Sequence, residues 1–297
     1  MAGVRAGAAD GNLDQMDRTE MPTVALPGGE RIAALGQGTW GIADDPARRH
    51  GEITALRRGL DLGMTVVDTA EMYADGGAEE LVGEAIACRR DEVFLVDKVL
   101  PSDADRQGTV TAAERALRRL GTDRIDLYLL HWRGRHPLAE TVEAFHELRD
   151  RGLIRYWGVS NLDVDDLDEL VAVGGEGLVT DQILYNLTRR GPEWGLLPWL
   201  RGRGVPVMAY SPIEQGRVLG HRALADVADV HGVTPAQVAL AWVRGRGDDV
   251  VAIPKSGDVA HVEQNRSSLD VTLTDDDRAE LDRAFPPPEH KQRLEIL

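Results

Sequence analysis

The sequence predicts a closed parallel (β/α)8 barrel of the TIM type, preceded by a β-hairpin. Three observations carry this expectation. Eight short apolar runs alternate with stretches of helical spacing over about 250 residues, and strict βα alternation on that scale builds a parallel sheet that closes on itself. The runs end on Trp40, Asp68, Lys98, His131, Asn161, Gln182, Tyr210 and Lys255, all polar, ionisable or indole-bearing, and strand C-terminal ends are where a barrel displays its chemistry. A doubly wound sheet, the competing arrangement, usually carries a glycine-rich dinucleotide turn after an early strand. The nearest candidate, Gly36-Gln-Gly38-Thr-Trp-Gly41, lacks the full GxGxxG spacing and has no acidic ribose partner in register.

The elements follow in order. Residues 23–34 alternate around Pro-Gly-Gly and read as the hairpin. Residues 35–40 form the first barrel strand, with a glycine-rich end. A helix over 48–62 closes on Gly63, and the β-branched run 64–68 delivers Asp68. The next helix spans 78–88, with Leu81, Val82, Ala85 and Ile86 on one face. A strand over 93–98 follows. Thr111-Ala-Ala-Glu114 is a capping-box signature that places a helix start there, continuing to Gly121. Strand 126–132 leads to helix 138–151, whose Val142, Phe145 and Leu148 share a face. Strand 156–161 leads to helix 163–173, with aspartates in its first turn. Strand 178–182, helix 194–203 and strand 205–210 come next. Thr234-Pro235 starts a helix as cap and first residue. Strand 250–253, helix 259–268 and a helix from Thr274 to Phe285 complete the chain before Pro286-Pro287-Pro288.

Composition bounds the function. The 297 residues suit one large α/β domain, expected over 21–297, with residues 1–20 read as a disordered tail. A net charge of −16 argues against general attraction to nucleic acid or anionic membrane. No apolar run is long enough to span a bilayer. The single cysteine, Cys88, fits a reducing cytoplasm and reads as buried filler on an amphipathic pattern. No histidine or cysteine spacing suggests a metal site. An anionic ligand needs a local basic site in so acidic a protein.

Asp68, Tyr73, Lys98 and His131 make one chemical set. A phenol with its ordinary pKa of about 10 is a poor proton donor at neutral pH. A nearby ammonium stabilises phenolate, a carboxylate keeps that ammonium charged, and an imidazole orients a carbonyl oxygen. The combination suits proton transfer to an oxygen gaining charge during hydride delivery. Each member also has a structural reading: a buried ion pair for Asp68 and Lys98, a satisfied core histidine for His131, a loop tyrosine for Tyr73.

The chain resembles the aldo-keto reductases from about residue 23 to about 285. The resemblance is carried by GTW at 38–40, DTAEMYADGGAEELVGEA at 68–85, DK at 97–98, LLHW at 129–132, WGVSN at 157–161, AYSPIEQG at 209–216, IPKSG at 253–257 and EQN at 263–265. It implies a barrel that binds NADPH in extended form. It implies Tyr73 as general acid, Lys98 as the residue tuning it, Asp68 as charge partner and His131 as the residue orienting substrate. It implies cofactor contacts from Gly38, Thr39, Trp40 and Asp68 at the first strand ends. Ser160, Asn161 and Gln182 are expected on the carboxamide, with Tyr210 stacked on the nicotinamide. Ser211, Pro212, Ile213, Gln215 and Gly216 are expected around the pyrophosphate. Ile253, Lys255 and Ser256 are expected near the 2′-phosphate, with Gln264 and Asn265 at the adenine. One position departs from many NADPH-selective members: six residues after Lys255 stands His261 rather than arginine. Histidine offers one pH-dependent charge where arginine offers a permanent fork, so NADPH preference is expected but narrowed, more so as pH rises.

Trp40, Met72, Leu100, Trp132 and Trp194 are candidates for an aromatic-apolar substrate wall; Trp40, Tyr73, His131 and Trp132 are the expected substrate contacts. The segment after Phe285 is short, so an open site for small aldehydes, ketones or dicarbonyls such as methylglyoxal is expected, in a monomer. Two other classes stay open from sequence: a Schiff-base aldolase using Lys98, and a regulatory NADP(H)-binding subunit like the β subunits of potassium channels.

Overall fold

The computed structural model describes residues 20–297, so the expected tail lies almost wholly outside the described residues. A hairpin of β1 (Thr23–Ala25) and β2 (Arg31–Ala33) comes first, paired antiparallel with Val24 opposite Ile32. Gly28 and Gly29 turn it at φ 99° and 94°, a region glycine enters without steric cost. The barrel strands are β3 (Gln37–Gly38), β4 (Val66–Asp68), β5 (Phe94–Val99), β6 (Ile125–Leu130), β7 (Ile154–Ser160), β8 (Asp181–Leu184), β9 (Val207–Tyr210) and β10 (Val250–Ile253). Each pairs in parallel with its sequence neighbour. Parallel bridges from Leu35 to Ala252 and from Gly38 to Lys255 join the two edge strands and close the barrel.

The helices form the outer ring: α1 (Arg49–Asp61), α2 (Gly77–Ile86), α3 (Arg106–Leu120), α4 (Leu138–Asp150), α5 (Val164–Ala172), α6 (Leu196–Arg201), α7 (Arg222–His231), α8 (Pro235–Arg244), α9 (Val259–Ser267) and α10 (Asp275–Ala284). Capping boxes at Asp163, Thr234 and Thr274 start α5, α8 and α10, satisfying amides that have no partner inside a helix.

The alternating faces of each strand divide the core. Val67, Leu95, Tyr128 and Val159 pack outward among helix residues such as Leu56, Val82, Phe145 and Leu148. Val66, Phe94, Val96, Leu127 and Leu129 point inward and meet Val24, Leu26 and Ile32 of the hairpin. The hairpin therefore plugs the N-terminal mouth. A polar strap fixes it there, since Arg155 and Tyr156 both donate to Glu30 at 2.6 Å and Arg155 also reaches Asp126 at 2.9 Å. With that end sealed, ligand access falls to the C-terminal face.

Several expectations are corrected. The helix expected to begin at Thr111 begins at Arg106, capped by Asp105, which accepts from Gly108 N at 2.9 Å. Thr111 lies inside α3 and donates its hydroxyl to Gln107 O. The strand expected over 178–182 runs Asp181–Leu184, and α6 runs Leu196–Arg201, shorter than the expected 194–203, with a separate 3-10 turn, Gly191–Glu193, ahead of it. Helix α7 was not foreseen. Cys88 lies beyond the end of α2 and is exposed, not buried. Among the described residues no helix is long and apolar enough to cross a membrane.

Candidate active site

The strand ends build one cleft at the open mouth. Asp68 closes β4, and after a four-residue loop Tyr73 opens a 3-10 turn, Tyr73–Gly76, in which Ala74 and Asp75 hold positive φ. That tight turn swings the phenol back toward β5. Lys98 on β5 is fully buried, and its Nζ donates to Asp68 Oδ2 (2.9 Å), Thr69 O (2.9 Å) and Tyr73 OH (3.2 Å). All three ammonium protons thus have acceptors. Asp68 is held from its other side by Gln182 Nε2 at 2.7 Å. Thr39 donates to Asp68 O at 2.9 Å.

His131 follows β6 at the cleft floor. Its ring lies edge-on to Tyr73 with centroids 5.9 Å apart, and Trp40 meets the other side of Tyr73 at 5.1 Å and 78°. Asn161, at φ 60° after β7, donates to His131 O at 3.1 Å and to Ser160 Oγ at 3.0 Å. Tyr210 at the end of β9 donates its hydroxyl to Asn161 Oδ1 at 2.9 Å.

The electrostatics separate two roles. Burial pushes the Tyr73 phenol above its ordinary value; the Lys98 charge opposes this without overcoming it. The phenol therefore carries its proton at neutral pH. Burial works against the Lys98 charge as well, but Asp68 and Tyr73 outweigh it and raise the ammonium's pKa. Burial, aided by Lys98, lowers His131 to about 2, so its imidazole is neutral across the physiological range. Its Nδ1 is buried without a hydrogen-bond partner among the described residues.

The cleft has a volume of about 810 Å³. Of the residues expected from sequence, Gly38, Trp40, Asp68, Tyr73, His131, Trp132, Ser160, Asn161, Gln182, Tyr210, Ser211, Pro212, Ile213, Gln215, Gly216, Ile253 and Lys255 line it, with Met72.

The sequence matches the aldo/keto reductase family over residues 34–285. The chain belongs to that family. It is 47% identical over 280 residues to a methylglyoxal reductase of Escherichia coli K12, covering 92% of this chain and 98% of that protein. It is 31% identical to a glyoxal reductase of Bacillus subtilis, covering 88% of this chain and 91% of the relative. A crystal structure of an aldo/keto reductase from Klebsiella pneumoniae in complex with NADP and acetate superposes with a TM-score of 0.91 at 48% identity, over 94% of this chain and all of that one.

Within this reductase, some expected residues fall outside the cleft wall. Thr39 is buried beneath it. Ser256 pairs with Asp258, and the His261 ring stands 3.9 Å from the Asp258 carboxylate. Gln264 and Asn265 lie on α9, and Leu100 and Trp194 are not part of the wall. Other residues were missed. Gly41 and Asp44 directly extend the Gly-Thr-Trp motif into the cleft. Ile296 and Leu297 line it from the C-terminal side, and Leu297 N reaches Tyr210 OH at 3.4 Å. The short segment after Phe285 therefore narrows the site that was expected to be open. Its sequence signal is the apolar set Leu294, Ile296 and Leu297 after the polar run 289–293.

Proposed function

We propose that the protein is an NADPH-dependent carbonyl reductase that converts a small aldehyde, ketone or dicarbonyl, methylglyoxal included, to an alcohol. One observation carries this reading: Lys98 Nζ joins Asp68 and the Tyr73 hydroxyl at the floor of a cleft that also holds His131. The NADP complex of the Klebsiella relative and the named activity of the Escherichia relative support it.

The donor set fits the cofactor. Gln182 spends its Nε2 on Asp68, which leaves its carbonyl oxygen to accept from a carboxamide. Tyr210 offers a ring held in place through Asn161. The loop 211–216 lines the cleft where a pyrophosphate would lie, and Lys255 adds a cation to the same wall. When bound, NADPH supplies the hydride that reaches the carbonyl carbon.

The protein's own groups handle the oxygen. His131, neutral, donates a hydrogen bond that fixes the carbonyl next to Tyr73. As charge develops on the oxygen, Tyr73 gives up its proton to it, and the resulting phenolate is met by Lys98 at 3.2 Å. Asp68 keeps Lys98 charged and in place. Solvent then returns a proton to Tyr73. Trp40 packs against Tyr73 and Trp132 against His131, so the two indoles flank the place of the reacting oxygen.

A Schiff-base role for Lys98 is disfavoured by the same geometry. A nucleophilic amine must shed a proton, and here three acceptors and a raised pKa retain it. The test is NADPH consumption by the purified protein with a panel of small aldehydes, dicarbonyls and aromatic aldehydes. Turnover is expected on short substrates. Absence of NADPH binding would overturn the reading.

A further inference from the structure

The cofactor loop and the C-terminal segment share one side chain. Between β9 and α7, Ser211 (φ 47°), Glu214 (φ 50°) and Gln215 (φ 54°) occupy the left-handed region. Non-glycine residues stay there only where the surroundings over-determine the backbone. Glu214 supplies that restraint. Its carboxylate is buried and accepts from Arg189 Nη2 at 2.9 Å, Arg217 Nη2 at 2.8 Å and Asn186 Nδ2 at 2.8 Å. Asn186 also donates to Ser211 O at 2.9 Å. On its other edge, Arg189 turns Nη1 to Glu295. The next two residues, Ile296 and Leu297, line the cleft.

We propose that Arg189 is a positioning residue that fastens the loop 211–216 and the segment 289–297 into one clamp around the cleft. A cofactor seated against the loop then steadies the wall that the carbonyl substrate meets. This rests on the cofactor reading above. The neighbouring arginine shows the contrast: Arg190 points away, binding Glu193, Asp282 and Phe285 O to anchor α10. Only a planar fork can hold two carboxylates on opposite edges, which a single ammonium cannot do at the same geometry.

Amide exchange of segment 289–297 with and without NADPH tests the coupling directly. It is read beside NADPH titration and steady-state kinetics on a short aldehyde. In the wild type, NADPH should slow exchange in the segment by about tenfold; in Glu295→Gln and Arg189→Met it should not. Glu295→Gln should raise KM about two- to fivefold, with kcat and the NADPH Kd within about twofold, as suits a partly exposed ion pair. Arg189→Met should raise both KM and the NADPH Kd, the latter about tenfold, because it also takes one of the two arginines from the buried Glu214 carboxylate. Arg189→Lys, which folds with the charge kept, should follow Glu295→Gln. A wild type that binds and turns over NADPH with no change in segment exchange overturns the clamp alone. A wild type that binds no NADPH overturns the cofactor reading and the clamp with it.

Discussion

Tyr73→Phe is the perturbation that isolates the chemistry most cleanly. It removes one oxygen and leaves the ring, so the edge contacts to Trp40 and His131 persist. Lys98 loses one of three acceptors but keeps Asp68 and Thr69 O. The stability loss should therefore be about 1.5–3 kcal/mol, that of one hydrogen bond to a charged group. The catalytic loss should be larger. A positioned general acid contributes about 10²–10⁴-fold, which is about 3–5 kcal/mol of barrier at 1.36 kcal/mol per decade. NADPH affinity should be unchanged, because Tyr210 and the loop 211–216 are untouched. The assay is NADPH titration by fluorescence, followed by single-turnover oxidation of the preformed complex. Turnover within tenfold of wild type would refute the assignment and move the proton to His131 or to water.

Four further outcomes follow from the same geometry. The proposed mechanism requires a protonated Tyr73, whose pKa burial raises, so kcat should hold through neutral pH and fall only above the ordinary phenol range of about 10; an apparent pKa near 7 in that limb would contradict it. His131 is neutral in the fold down to about 2 while an unfolded histidine protonates near 6.5. Its environment therefore contributes stability that is complete above about 6.5 and declines as pH falls below it. His131→Asn should flatten the acid side of a Tm-against-pH curve. Asp181 is fully buried, no side chain among the described residues pairs it, and burial outweighs the pull of the Leu162 and Asn161 amides to raise its pKa well above normal. Keeping that carboxyl protonated costs stability increasingly as pH rises above the ordinary aspartate range, so Asp181→Asn should raise the unfolding free energy from denaturant titration at pH 7 by about 1–3 kcal/mol, with the gain shrinking toward pH 4. Finally, His261→Arg should widen the NADPH-over-NADH ratio of kcat/KM by about tenfold through a permanent phosphate contact, measured with both cofactors at pH 8.

The barrel and its mouth were legible because both are local signals repeated. Each strand is a short apolar run, and its last residue is fixed in position by where that run stops. Asp68, Lys98 and Tyr210 end within a residue of the expected places for that reason. The failures have physical causes too. The Thr111 box matched a capping pattern, but Asp105 was free to cap six residues earlier and the intervening residues are compatible with helix. Helix α7 was hidden because Ala223, Leu224, Val227 and Ala228 form a narrow face with no side-chain cap at His221. The contact of Ile296 and Leu297 with the cleft depends on chain path after α10, and nothing local encodes a path.

The burial of Lys98 explains why the site is built as it is. Moving an ammonium out of water costs several kcal/mol even after relaxation, and Lys98 is wholly buried. A protein seeking only stability would place an apolar side chain there. The cost is offset by a complete set of acceptors, one of them ionised. The same acceptors that make burial tolerable also determine what the lysine can do. With Asp68 and Thr69 O occupying two protons, the third is aimed at Tyr73 OH. In the proposed mechanism the charge is thus delivered to the one atom that becomes anionic when a carbonyl is reduced. Glutamine 182 restrains Asp68 from behind, so the charge cannot relax away from the phenol when the proton leaves. Little reorganisation is then needed at the moment of reaction, and that pre-organisation is where an electrostatic site gains its rate.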